Sequence, residues 1–261
     1  MKFPDVSPIA FSLGSIHVRW YGLMYLLTFI IGYFLIRFFA KERKHNIFNN
    51  EFVSDLILTV LIGVVLGGRL GYILFYNLPY YLSQPADIVK VWNGGMSFHG
   101  GMLGVIIGLF LFAKIKKVPL YTITDTIIPI IPIGIVLVRI GNFLNAELYG
   151  RITTSSFCIN FPTDPANCRY PSQLIQAFLE GWCTLIVLVI LRKKIKTPGV
   201  LSWIFILCYA VFRFIGEFFR EPDTQIGFLP GHLTEGQYFS IIMVIAAVIG
   251  IRLTQKRKKH A

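Results

Sequence analysis

The stretch Ser54-Asp55-Leu56-Ile57-Leu58-Thr59-Val60-Leu61-Ile62-Gly63-Val64-Val65-Leu66-Gly67-Gly68-Arg69-Leu70-Gly71-Tyr72-Ile73-Leu74-Phe75-Tyr76 decides the fold. A helix needs roughly 20 mostly apolar residues to cross a bilayer, and this run supplies them. Asp55 stands at its start, and one charge, Arg69, stands deep inside it. Working outward, stretches of the same kind recur at about 21–40, 96–113, 124–143, 173–191, 200–219 and 236–252, with ends uncertain by about 2–4 residues. Pro129 and Pro132 predict a kink or break in the fourth span. The composition agrees. Of 261 residues 55% are hydrophobic and only 15% charged, against about 25% charged in ordinary soluble domains. The expected fold is an all-α integral membrane protein, a bundle of seven transmembrane helices forming a single domain over 1–261.

A formal net charge of +12 would suit a nucleic-acid binder, but its distribution points elsewhere. Arg37, Lys41, Arg43 and Lys44 follow span one, and Lys114, Lys116 and Lys117 follow span three. Arg192, Lys193, Lys194 and Lys196 follow span five, while Arg252, Lys256, Arg257, Lys258 and Lys259 close the chain. The opposite flanks hold only Lys2, Arg19, Lys90, Arg151, Arg169 and Arg220. The positive-inside rule then puts the N-terminus outside and the C-terminus in the cytoplasm. No nucleic-acid partner is expected. The opening residues read as no cleavable signal peptide, because Pro4, Asp5 and Pro8 interrupt any apolar region. Outside loops are expected at about 77–95 and 144–172. Cys158 and Cys168 lie in the second, which leaves open a disulfide or two free thiols. Cys183 and Cys208, inside spans, read as small core hydrophobes.

Arg69, Arg139 and Arg213 stand inside apolar spans, where an arginine is costly and usually functional. Each falls in the outer third of its span. Tyr21 and His99 lie at the outer starts of spans one and three, and Asn142, Asn145 and Glu147 follow Arg139. Tyr209, Arg213, Glu217 and Arg220 recur on one face of span six. This common depth reads as one site. Its arginines suit a phosphate or other anion through bidentate hydrogen bonds, and His99 suits a general base near neutral pH. Neither a metal nor a cofactor is expected, since the five histidines are scattered and no phosphate loop or dinucleotide fingerprint appears. A transporter would carry polar groups through the full membrane depth. The inner halves are apolar apart from Asp55 and Asp125 at inner ends, with Glu180 at mid-span the discordant residue.

The run Val138-Arg139-Ile140-Gly141-Asn142-Phe143-Leu144-Asn145-Ala146-Glu147-Leu148-Tyr149-Gly150-Arg151 resembles the signature of the prolipoprotein diacylglyceryl transferases. So do Arg19-Trp20-Tyr21-Gly22-Leu23-Met24-Tyr25, Gly67-Gly68-Arg69-Leu70-Gly71-Tyr72 and Gly94-Gly95-Met96-Ser97-Phe98-His99-Gly100-Gly101. The resemblance continues through Arg169-Tyr170-Pro171-Ser172-Gln173-Leu174 and Phe212-Arg213-Phe214-Ile215-Gly216-Glu217-Phe218-Phe219-Arg220-Glu221-Pro222-Asp223. It implies a seven-helix bundle with a small extracytoplasmic head in the bacterial cytoplasmic (inner) membrane, with the active site facing outward. The implied partners are phosphatidylglycerol, a prolipoprotein signal peptide with its lipobox cysteine, and membrane lipids. The diacylglyceryl group moves to that thiol as a thioether, releasing glycerol 1-phosphate.

Carried over, the functional residues of such enzymes match Tyr21, His99, Arg139, Asn142, Glu147, Gly150, Tyr209, Arg213 and Glu217. His99, Arg139 and Arg213 are the expected catalytic groups. Arg69, Asn145 and Arg220 join Tyr21, Asn142, Glu147, Gly150, Tyr209 and Glu217 as expected substrate-binding residues. Glu147 and Glu217 are expected to orient the arginines. The chain departs from the pattern at Tyr170 and Gln176, where relatives often carry His and Glu.

Overall fold

The computed structural model describes residues 2–14, 16–43, 45–222 and 227–259. Lys44 and Asp223 lie outside the described residues, as do the side chains of Arg257, Lys258 and Lys259. The chain is mostly helical. In order come β1 (Ile9–Leu13), β2 (Ile16–Arg19), α1 (Trp20–Glu42), α2 (Asn50–Tyr76), α3 (Leu78–Ser83), α4 (Phe98–Ile115), α5 (Leu120–Ile127) and α6 (Ile131–Leu144). Then follow β3 (Ile159–Phe161), β4 (Asp164–Arg169), α7 (Ser172–Gln176), a π-helical stretch Ala177–Cys183, α8 (Thr184–Leu191), α9 (Val200–Gly216) and α10 (Glu235–Lys259). The all-α class expected from the sequence agrees with this mostly helical structure, to which two short antiparallel hairpins, β1–β2 and β3–β4, are added. No closed sheet occurs among the described residues.

Six helices are long and apolar enough to cross a membrane: Trp20–Glu42, Asn50–Tyr76, Phe98–Ile115, Leu120–Leu144, Ser172–Leu191 and Glu235–Lys256. The protein is therefore a multi-pass membrane protein. Val200–Gly216 is apolar but has 17 residues, about 26 Å of helix against a hydrocarbon core of about 30 Å. The break expected at Pro129 and Pro132 is a 3-10 turn, Ile128–Ile130, between α5 and α6. The helical segment begins at Leu120, earlier than the expected 124.

The chain forms two compact units, Met1–Gly32 with Thr124–Ala261, and Tyr33–Ile123. In the second unit α2 packs on α4 through glycines. A Cβ on Gly71 would lie 2.7 Å from the Gly100 Cα, and one on Gly104 would lie 2.9 Å from the Gly67 Cα. Only hydrogens separate the two backbones there. Asn49 caps α2 by accepting from the Phe52 N–H at 2.8 Å, and Ser97 caps α4 by accepting from the Gly100 N–H at 3.2 Å. Lys116 Nζ reaches Asp55 Oδ2 at 2.6 Å.

In the first unit, Asp125 of α5 caps the start of α9. Its carboxylate accepts from the N–H groups of Gly199 (2.7 Å) and Ser202 (3.0 Å) and from the Ser202 hydroxyl (2.6 Å). Ile128, Leu188 and Leu201 pack together beside this cap. The β3–β4 hairpin carries a disulfide between Cys158 and Cys168, which resolves the alternatives left open by the sequence. Phe161 is fully buried and packs with Ala146, Ile159, Phe3, Phe143 and Tyr149. The Arg169 guanidinium holds the Asp164 carboxyl below the usual range, helped by the Asn167 amide.

Candidate active site

Within the first unit, polar groups from α1, α6, the π stretch and α9 gather among apolar helices. At the centre is Glu180, whose side chain is fully buried. Arg139 Nη2 donates to Glu180 Oε2 at 3.0 Å, and Arg213 Nη1 donates to Glu180 Oε1 at 3.2 Å. Arg213 Nη2 also meets Glu217 Oε1 at 2.5 Å. Glu217 Oε2 in turn accepts from the Thr234 hydroxyl at 2.7 Å. Two guanidiniums, exposed by only 13% and 15%, thus face two buried carboxylates. Formal charge cancels, as it must where solvent screening is weak.

Local sequence explains the arrangement. Gly181 lies against Val136 and 3.2 Å, measured from a built Cβ, from the Pro132 carbonyl oxygen, so the segment bearing Glu180 abuts the helix bearing Arg139. Gly141 brings α1 equally close, with the Tyr21 Cα 3.3 Å from its Cβ position. Tyr21 shares a hydrogen bond with the Tyr25 hydroxyl at 3.1 Å. Arg213 and Glu217 are one turn apart on α9.

Glu147 does not take the expected place beside Arg139. Its Oε1 accepts from the amides of Asn142 (2.9 Å) and Asn145 (3.4 Å), and its backbone carbonyl accepts from Gln173 Nε2 at 2.7 Å. Ala146 and Leu148, on either side, hold positive φ values of 52° and 58°. Such backbone is unfavourable for side-chain-bearing residues and clusters at functional sites. Gly150 ties the next turn down. Its N–H donates to the Tyr170 carbonyl at 2.8 Å, it bridges to Arg220, and a Cβ would lie 2.6 Å from that same oxygen. The Arg220 carbonyl accepts from Arg151 Nε at 2.9 Å. Tyr209 is half-buried on α9, its ring stacked near that of Phe205.

Arg69 and His99 belong to the other unit. All five Arg69 N–H groups point to carbonyls of the loop after α3: Nε to Ile88 (2.9 Å), Nη1 to Gly94 (2.5 Å) and Gly95 (3.2 Å), Nη2 to Asp87 (2.5 Å) and Lys90 (3.2 Å). A guanidinium has five donors, so none remains for a ligand. The expected direct substrate contact of Arg69 gives way to a role in holding this loop. His99 is exposed in the first turn of α4, its ring 5.6 Å from that of Phe98.

A profile described as prolipoprotein diacylglyceryl transferase matches residues 8–253. The chain belongs to this family. It is 46% identical to the phosphatidylglycerol–prolipoprotein diacylglyceryl transferase of Geobacter sulfurreducens over 99% of each chain. It is also 46% identical to the Rickettsia felis protein of that name, over 94% of this chain and 95% of that one. The Marinomonas protein of the same name is 45% identical, over 94% and 91%.

In this member of the diacylglyceryl transferase family, Glu180 lies outside every motif that carries the resemblance. A signal for it was present. Gln176, Glu180 and Thr184 recur at intervals of four in an apolar helix, which marks one polar stripe turned inward. All three are fully buried, and the Gln176 side chain stands beside Glu180 across Gly216. Among the described residues, no group of His, Cys, Asp and Glu has the arrangement of a metal site.

Proposed function

We propose that this protein transfers the diacylglyceryl group of phosphatidylglycerol to the lipobox cysteine thiol of a bacterial prolipoprotein. The names of its relatives supply the two substrate classes. One observation carries the chemical reading: Arg139 and Arg213 are fixed on the two oxygens of one buried carboxylate, among apolar helices. Paired guanidiniums so held suit a phosphodiester.

The proposed reaction is a displacement at carbon. By the family resemblance alone, His99 is the proposed acceptor of the thiol proton, the thiolate being the reactive form. The thiolate attacks the glyceryl carbon bonded to the phosphate oxygen; the C–S bond forms as the C–O bond breaks. The electron pair leaves with glycerol 1-phosphate, and the proton passes to that product. Arg139 and Arg213 stabilise the departing phosphate, each such donor contributing about 2.7–4 kcal/mol in a dry site. Asn142 and Tyr21 position the headgroup or peptide, with Asn145, Glu147, Gly150, Tyr209, Glu217 and Arg220 supporting them. The chain acts as one catalytic domain with seven spans, α9 counted among them. Its N-terminus and active site face away from the cytoplasm, and the C-terminus lies inside, in the bacterial inner membrane. The distribution of Lys and Arg supports this orientation.

The test uses purified protein, labelled phosphatidylglycerol and lipobox peptides carrying Cys or Ser. Transfer of label to the Cys peptide alone is expected. Release of glycerol phosphate without any thiol would make the protein a headgroup hydrolase.

A further inference from the structure

A buried carboxylate that touches both arginines governs where they point. Among the described residues, Glu180 is the only acidic side chain within ion-pair distance of Arg139, and it engages only Nη2. The guanidinium edge formed by Nε and Nη1 is left for an incoming oxyanion. Arg213 is held by Glu180 through Nη1 and by Glu217 through Nη2. Both guanidiniums are thereby tied to one carboxylate. Two backbone features set its position: the π-helical stretch Ala177–Cys183, and Gly181, which admits Val136 and the Pro132 carbonyl. A π turn shifts helical register and is frequent at functional sites.

We propose that Glu180 is a positioning residue of the transfer reaction: it fixes the spacing of Arg139 and Arg213 and cancels their charge until the lipid phosphate arrives. This rests on the phosphate-clamp reading given above. Without ligand, Glu180 and Glu217 balance the two guanidiniums. On binding, the phosphodiester adds one negative charge to a cluster already neutral, so it is held by directed N–H groups rather than by surplus charge. Binding stays moderate, while the charge that builds on the departing phosphate meets donors already in place.

The test separates turnover from binding. In Glu180→Gln one arginine keeps an acceptor and the other faces an amide NH₂, while volume is unchanged. The expected result is a fall in kcat of about 10²-fold or more, with inhibition by glycerol 1-phosphate several-fold tighter. A purely structural role would weaken both together. Glu180→Asp, which reaches only one arginine, should fall between. Gly181→Ala displaces the carboxylate without removing charge and should lower kcat similarly. Wild-type kcat in Glu180→Gln or Gly181→Ala overturns the proposal, as does equal loss of turnover and product binding. Failure of all three variants to accumulate as folded protein assigns Glu180 to folding and also overturns it. A wild-type enzyme indifferent to glycerol 1-phosphate, or inhibited by it equally after Arg139→Lys, would instead sink the phosphate-clamp reading itself.

Discussion

Gly63 of α2 faces the Gly104 carbonyl of α4 so closely that a Cβ on Gly63 would lie 2.8 Å from that oxygen. The reciprocal methyl on Gly104 would overlap the Gly63 carbonyl. Backbone is the obstacle on both sides, and backbone does not rotate away. Gly104→Ala should therefore force the helices apart and destabilise the unit by about 1–3 kcal/mol, the usual range for overpacking. Gly108→Ala is the control, since its methyl would meet the Thr59 side chain at 3.3 Å. Thermal unfolding in detergent should show a clear drop for the first and a small one for the second.

Arg139→Lys keeps the charge and loses the planar fork that reaches Glu180 and, in the proposed mechanism, a phosphate. Transfer should fall by about 10²-fold or more, with membrane insertion unchanged. Activity on labelled phosphatidylglycerol, normalised to protein in the membrane fraction, checks it. Near-normal transfer would remove bidentate clamping from the mechanism.

Arg69→Lys should loosen the loop after α3 and leave α2 intact. An ammonium cannot reach carbonyls spread from Asp87 to Gly95, and each lost bond removes about 0.5–1.5 kcal/mol. Faster amide exchange and proteolysis confined to residues 77–95 are expected. An unchanged loop would show that its own 3-10 turns, Pro85–Val89 and Val91–Asn93, suffice.

Asp87 gives that loop a pH dependence. Hydrogen bonds from Lys90 Nζ, at 2.7 Å, and from the Tyr80 hydroxyl hold its carboxyl below the ordinary 3.8. A lowered folded value stabilises fully above 3.8 and is lost as pH falls through the lower folded value. Fluorescence of exposed Trp92 should report loosening only below about pH 4, and Asp87→Asn should abolish that step. A transition near neutrality would contradict the assignment.

The Cys158–Cys168 disulfide closes a short loop, ten residues apart. Replacing both cysteines by serine should destabilise the hairpin region by about 2–4 kcal/mol. Protease cleavage near β3 and β4 should rise, with the spans unaffected.

The spans were legible because a helix in lipid must be apolar all round, and that requirement writes itself into consecutive residues. The arginines were legible for the converse reason, since a guanidinium in such a run is conspicuous. Their partners were less so. Glu147 lies near Arg139 in sequence, and proximity suggested a pair. In the structure the left-handed backbone at Ala146 and Leu148 accompanies a different outcome, with the carboxylate on Asn142 and Asn145. Glu180 is 41 positions from Arg139, and it is tertiary packing, at Gly181 among other places, that brings them together. Arg69 shared the depth of the other arginines, but depth does not say whether a guanidinium meets a ligand or a cage of carbonyls. The hairpins were missed because short strands in a turn-rich loop leave almost no periodicity.

The cap that Asp125 places on α9 has a consequence for how the chain is made. Synthesis runs from the N-terminus, so the carboxylate of residue 125 exists before residues 199–202 emerge to meet it. α9 is the short apolar helix, and it carries Arg213. Alone it is a weak candidate for insertion. A waiting acceptor for its first N–H groups, and Glu180 already in place for its arginine, give the nascent helix partners that its own sequence lacks. The finished helix is thus held in part by residues placed far earlier in the chain.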